Sequence, residues 1–131
     1  MKQMKQLLLS LLIATSSASM MAQTDITPKV TEAIKKGDAA ALAAYFMDQI
    51  ELTLPANDGT FNKAEAQKLI AKFFADYGVT SFVIKHQGTS KLDDQYRIGD
   101  LVTNKGTFRV TFFMRKSGAS LLIKQLKIEE E

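Results

Sequence analysis

Two ionisable side chains stand where the pattern around them runs apolar. Asp100 shares the parity of Tyr96, Ile98 and Val102, and His86, the only histidine, shares that of Phe82 and Ile84. Strand side chains alternate between faces, so each is expected to point with its apolar neighbours. A carboxylate so placed has its pKa raised unless it finds a partner. With Tyr96, Tyr45 or Tyr77 it makes the carboxylate–tyrosine pattern of proton-transfer isomerases. The plainer reading is a bulge near Gly99 that turns Asp100 outward, or a hydrogen-bonded pair with a tyrosine. His86 reads either as a general acid or base, which needs a substrate atom within hydrogen-bond reach, or as a strand-end imidazole bonded to a nearby backbone or carboxylate group. Asp100 and His86 are candidates only, and no catalytic residue is assigned.

The remaining polar groups point away from chemistry. One histidine leaves no histidine-based metal site within one chain, and the absence of cysteine excludes disulfides and thiol reactions. Arg97 and Arg109 have the opposite parity to Asp100 and are expected on the outer, solvated face. Asp93-Asp94 reads as a turn, and Glu129-Glu130-Glu131 as a solvated tail. Neither acidic cluster has the ligand number or glycine placement of a calcium loop. No glycine-rich phosphate loop, nucleophile elbow or zinc-helix motif is present. No metal and no cofactor are expected.

Both candidates belong to residues 80–128, which read as four consecutive antiparallel strands. Phe108, Val110, Phe112 and Met114 alternate with Thr107, Arg109, Thr111 and Arg115. Asn104-Lys105-Gly106 before them reads as a three-residue loop with glycine at its left-handed position. That register sets Val102 against Phe108, Ile98 against Phe112 and Tyr96 against Met114. A two-residue loop sets Val102 against Thr107 and a phenylalanine against Arg97. The first matches apolar with apolar and is preferred. Ser117-Gly118 makes the next turn. In the last strand Leu121-Leu122-Ile123 is apolar on both parities, so its facing stays open and a bulge near Lys124 is considered.

Ahead of the sheet, Thr27-Pro28 starts a helix with Thr as cap, carries Val30, Ala33 and Ile34 on one face, and stops at Gly37. Asp38 caps a second helix reaching about Phe46. Ile50, Leu52 and Leu54 alternate as a short strand ended by Pro55, which suits an edge. Residues 56–60 read as a loop. Asn62 and Glu65 resemble a capping box, opening a helix with Ala66, Leu69, Ile70, Phe73, Phe74 and Tyr77 on one face and Gly78 at its end. This helix is expected to lie across the concave face of the sheet. Helices grouped beside an antiparallel sheet define an α+β domain.

Residues 1–22 read as a secretory signal peptide: Lys2 and Lys5, an apolar centre from Leu7 to Ala14, then small and polar residues. Its apolar run is too short to span a bilayer. Cleavage after Ala22 leaves residues 23–131 as one domain. The whole chain of 131 residues carries 17 basic and 14 acidic side chains, a net charge of +3. Without the leader's two lysines the balance is +1, and no basic stripe interleaved with aromatics suggests nucleic acid. No integral membrane segment is expected after cleavage. The expected address is exported, periplasmic or extracellular, in a bacterium.

The order helix, helix, strand, helix, four strands resembles the nuclear transport factor 2-like superfamily, a cone in which a strongly curved sheet wraps helices. More narrowly, residues 86–90 (HQGTS), Ile98-Gly99-Asp100-Leu101 and residues 103–110 (TNKGTFRV) look like domain of unknown function 4783, a group of small exported bacterial proteins. That family brings no established catalytic residues. The resemblance implies a cavity between helices and sheet, with Tyr45, Phe46, Phe73, Tyr77, Ile84, His86, Tyr96, Ile98, Asp100 and Phe112 as candidate lining. Three functions are weighed. The favoured one is a non-enzymatic domain taking a small apolar or amphipathic ligand, or a partner protein, in its cone. The second is a proton-transfer enzyme, isomerase- or dehydratase-like, using Asp100 or His86 with a tyrosine. The third is a homodimer paired through the outer face of the sheet, where Arg97, Thr111 and Phe113 are expected.

Overall fold

The computed structural model describes residues 24–131, so the expected signal peptide lies outside the described residues. Among those residues the elements are α1 (Thr27–Lys35), α2 (Ala39–Ala43), β1 (Phe46–Thr53), β2 (Asp58–Asn62), α3 (Lys63–Tyr77), β3 (Val79–Thr89), β4 (Gln95–Thr103), β5 (Gly106–Ser117) and β6 (Ser120–Glu130). The strands make one sheet in the order β2-β1-β6-β5-β4-β3. Neighbouring strands are antiparallel except β1 and β6, which run parallel. The expected α+β cone is present. Short turns make the last four strands an antiparallel meander, and β1 joins it from the far side of β6.

The third helix forms where its cap and apolar face require. The Asn62 Oδ1 accepts the Glu65 N–H at 2.8 Å while its Nδ2 donates to Glu65 Oε1 at 2.6 Å. The cap bond to the backbone is made, while Glu65 returns to the Asn62 side chain rather than to its backbone N–H, so the box is half formed. Gly78 closes the helix at φ 68°, a left-handed value that favours glycine. Ala66, Ile70, Phe73 and Phe74 are buried beneath it. The Phe73 ring meets Phe108 of β5 edge-on at 5.4 Å and stacks on Tyr77 at 4.4 Å. Helix and concave sheet face are thus one packed layer, as the amphipathic spacing anticipates.

Several local expectations are corrected. Ile26, not Thr27, occupies the cap position of α1, and the Asp25 carboxylate accepts the Thr27 N–H at 2.9 Å. The second helix stops at Ala43 and Phe46 opens β1. That strand lies between β2 and β6 rather than at an edge. Residues 58–62, read as loop and helix cap, pair with β1 from Gln49↔Asn62 to Thr53↔Asp58. Asp58 and Gly59 are poor strand formers, so propensity hides an element that exists because β1 offers unpaired backbone groups.

The β4–β5 register is the one not preferred: Leu101 faces Phe108, Gly99 faces Val110 and Arg97 faces Phe112. Two features make it stable. Gly99 leaves room for the Phe82 ring, since a Cβ there would stand 2.7 Å from it and 2.6 Å from the Val83 carbonyl oxygen. Arg97, expected outside, is buried inside, and each of its three guanidinium nitrogens donates a hydrogen bond. It donates to Thr27 Oγ1 at 3.0 Å, to the Tyr96 carbonyl at 2.9 Å and to Gln95 Oε1 at 3.2 Å. A buried cation is tolerable when so satisfied. The consequence is that Tyr96, Ile98 and Asp100 turn to the outer face.

Bulges settle the other two strands. The β3–β4 pairing shifts between Ile84 and His86, leaving Lys85 as the extra residue. A bulge inverts parity, so Phe82 and Ile84 stay inside while His86 turns out. In β6 the shift falls between Ile123 and Gln125, at Lys124. Leu121, Ile123, Leu126 and Ile128 can then all be buried, which answers the facing that the sequence leaves open.

Candidate functional site

The concave side is filled rather than hollow. Phe46, Ile70, Phe82, Leu101, Phe112 and Leu126 are fully buried there. A cavity of about 50 Å³ lies between α3 and the β1–β2 loop, bounded by Leu54, Leu69, Phe73 and Tyr77. An apolar cavity of about 150 Å³ is what holds benzene, so this space admits nothing that large. Tyr45 sits apart, in a surface cleft of about 720 Å³ with Ile26, Leu121 and Leu122. Ile84 is half-buried against the core. Of the expected lining, Phe73 and Tyr77 bound this small cavity, while Phe46 and Phe112 belong to the solid core.

His86, Ile98 and Asp100 come together on the opposite side. With Lys85, Arg109 and Glu131 they line an open depression of about 520 Å³ on the outer face of the sheet. Pairing accounts for it: His86 faces Ile98 across β3–β4, and Asp100 faces Arg109 across β4–β5. A hydrogen bond with Asp100 holds the Glu131 carboxyl above its usual range, with desolvation and the Asp100 charge adding to this and Arg109 opposing. Two carboxylates thus share a site between cations. Tyr96 lies outside this wall, tilted against Phe113 with ring centres 6.0 Å apart.

Around the depression the face is unevenly covered. Val83 is 51% exposed and Val102 38%, while Tyr96, Ile98 and Phe113 are half-buried. Charges of both signs stand among these apolar groups. Among the described residues no cluster of three histidine, cysteine or acidic side chains is placed to hold a metal ion. No helix of the described residues is long and apolar enough to cross a membrane.

One polar cluster was not read from sequence. Asp94, expected simply as a turn residue, is buried and accepts from Arg115 Nε at 2.9 Å, Arg115 Nη2 at 3.2 Å and Lys124 Nζ at 2.6 Å. The Arg115 hydrogen bond is the main reason that its carboxyl lies below the usual range; desolvation opposes this, and Lys124 adds to it. The cluster fastens the β3–β4 turn to β5 and β6. Only the β6 bulge at Lys124 hints at it in the sequence.

Comparison with known proteins follows the same lines. The family described as Domain of unknown function (DUF4783) matches residues 27–129. The chain is 31% identical to a DUF4783 family protein from Bacteroides uniformis ATCC 8492, with TM-score 0.75 over 82% of this chain and 98% of that one. It is 30% identical to a DUF4783 family protein from Bacteroides fragilis YCH46, with TM-score 0.75 over 82% of this chain and 100% of that one. An NTF2-like protein of unknown function from Cytophaga hutchinsonii ATCC 33406 shares the fold at 12% identity, with TM-score 0.58 over 87% of this chain and 94% of that one. No curated protein matches the chain. With the fold, the matched length and the identity in agreement, the chain belongs to the DUF4783 family and has the nuclear transport factor 2-like fold.

Proposed function

We propose that this is an exported, non-enzymatic binding domain whose working surface is the outer face of the sheet, and that its first partner there is a second copy of the chain. The observation that carries the reading is the contrast between a filled interior and an outer face that leaves Val83 and Val102 51% and 38% exposed. Stable pairing takes about 800 Å² from each partner, which an open sheet face of four long strands can supply.

Charge favours self-pairing. The β3–β4 turn and the β5–β6 hairpin share one end of the sheet, with Lys91, Arg115, Lys116 and Lys124 against Asp93 and Asp94. The last residues of β6 bring Glu129, Glu130 and Glu131 to the other end, where Lys85, Lys105 and Arg109 only partly offset them and Asp100. A two-fold axis across the strands lays the basic end of one copy over the acidic end of the other, and an isologous interface needs such self-complementarity. The apolar centre with a charged rim is the usual anatomy of a protein interface.

The proton-transfer reading is set aside. Asp100 and His86 do share one depression, but it is open to water and Tyr96 lies outside it. Efficient acid–base chemistry calls for a site that excludes solvent. Export rests on the leader pattern of residues 1–22 and on a cysteine-free composition that is indifferent to an oxidising compartment. A bacterial periplasmic or extracellular address is the one proposed.

Sedimentation equilibrium tests the reading. A dimer that weakens as salt is raised supports it, and a chain that stays monomeric at high concentration ends it. Mass spectrometry of the processed protein, with Gln23 as the expected first residue, tests export separately.

A further inference from the structure

The cleft beside Tyr45 is framed by three parts of the chain: the approach to α1, the junction of α2 with β1, and the β5–β6 hairpin. Backbone bonds brace all three. The Tyr45 N–H donates to the Leu42 carbonyl at 3.1 Å, and the Tyr45 carbonyl accepts the Ile123 N–H at 2.7 Å. The Ile26 carbonyl accepts the Val30 N–H at 2.9 Å. Across the hairpin Lys116 pairs with Leu121 and Ser117 with Ser120. A site already ordered in this way needs little rebuilding to receive a ligand. Its volume of about 720 Å³ lies within the ~300–1,000 Å³ of small-molecule sites.

The lining has a distinct chemistry. It is apolar at Ile26, Tyr45, Leu121 and Leu122, and its one charged group is Lys116, which is exposed. Two neighbouring cations, Arg115 and Lys124, are both engaged by Asp94. Lys116 makes no ion pair among the described residues. No carboxylate of those residues lines the cleft. Asp25, although it stands between Thr24 and Ile26 in the chain, is held elsewhere. It accepts the Thr27 N–H at 2.9 Å and lies 3.8 Å from Arg97 Nη2. An apolar cleft with one unpaired cation and no acid is complementary to an apolar ligand that carries a single negative head.

We propose that the cleft is a binding site for a straight-chain aliphatic carboxylate, with its hydrocarbon along Ile26, Tyr45, Leu121 and Leu122 and its head at the Lys116 ammonium. Removal of the hydrocarbon from water supplies the affinity. The ammonium is open to solvent, so it supplies the choice of head group more than the strength of binding. The site lies apart from the outer face of the sheet and does not depend on pairing there.

Titration of octanoate, 1-octanol and octylammonium into the purified protein, followed by calorimetry and backbone amide shifts, tests this. Octanoate is expected to bind several-fold more tightly than octylammonium, with 1-octanol between them and the largest shifts at Tyr45 and residues 120–122. Lys116→Glu, an exposed change, is expected to leave the fold and 1-octanol binding as they are and to reverse the order of the two charged ligands. Ile98→Lys, which removes the outer-face pairing, is expected to bind octanoate as the parent does. Absence of saturable octanoate binding, equal affinity for the three ligands, shifts centred away from the cleft, or an order unchanged in Lys116→Glu would each overturn the proposal. Octanoate binding lost in Ile98→Lys would overturn it too, while leaving the outer-face reading in place.

Discussion

Strands β4 and β5 present two faces drawn from similar residues. Inside stand Arg97, Gly99, Leu101, Phe108, Val110, Phe112 and Met114, all buried; outside stand Tyr96, Ile98, Asp100, Val102, Arg109, Thr111 and Phe113, none buried. Each face mixes apolar side chains with charge, so hydropathy alone does not separate them. The three helices cover only one face, and whatever lies beneath them must be satisfied. Arg97 meets that demand through Thr27, Tyr96 and Gln95, and Gly99 through the Phe82 ring it admits. The outer residues answer to no such covering. Substitutions inside should therefore act on folding and those outside on association.

The sharpest break of that contrast is Phe112→Ala. The side chain is fully buried, and its loss should cost about 3–5 kcal/mol in chemical denaturation. A cost under 1 kcal/mol would mean that the inner face is loosely packed. Gly99→Ala comes next, because its Cβ would meet the Val83 carbonyl and the Phe82 ring at 2.6 and 2.7 Å. A loss of about 1–3 kcal/mol is expected from such overpacking, read as a lowered Tm.

Asp94→Asn probes the border between the two faces. Arg115 and Lys124 lose a buried partner but still reach water, so about 1–3 kcal/mol is expected, less than for a fully buried pair. The sign with pH follows from the depressed carboxyl of Asp94. Its contribution is complete above the unfolded value near 3.9 and fades as pH falls through the lower folded value. Acid titration of stability should therefore flatten in the variant; an unchanged acid limb would remove the carboxylate from the account. The smallest effect on folding belongs to Ile98→Lys, within about 0.5 kcal/mol of the parent. The same change should abolish the proposed dimer in sedimentation, and a stable dimer in that variant would rule out pairing through this face.

How far the sequence carried depends on which forces act locally. The third helix was readable to its ends because its cap, apolar spacing and terminal glycine all lie within the element. The four-strand meander was readable from alternation and turns. The β4–β5 register was not, because the choice rests on Gly99 accepting a ring from β3 and on Thr27 receiving the Arg97 guanidinium across 70 residues. His86 was placed inside by parity and turned outward by a bulge at Lys85, whose cause is pairing with β4. Asp100 and His86 did converge, though on the face opposite to that expected. The filled cone was beyond reach as well, since a list of apolar residues does not reveal how closely they pack.

The parallel contact of β1 with β6 has a consequence for how the molecule is made. The last of the six strands in chain order is seated in the middle of the sheet, with β1 and β2 on one flank and β5, β4 and β3 on the other. Until it arrives, no strand pairing joins the two flanks. Contacts between such distant stretches are slow to form. A chain cut short before β6 should remain soft and open to proteases, its sheet split into two groups of strands.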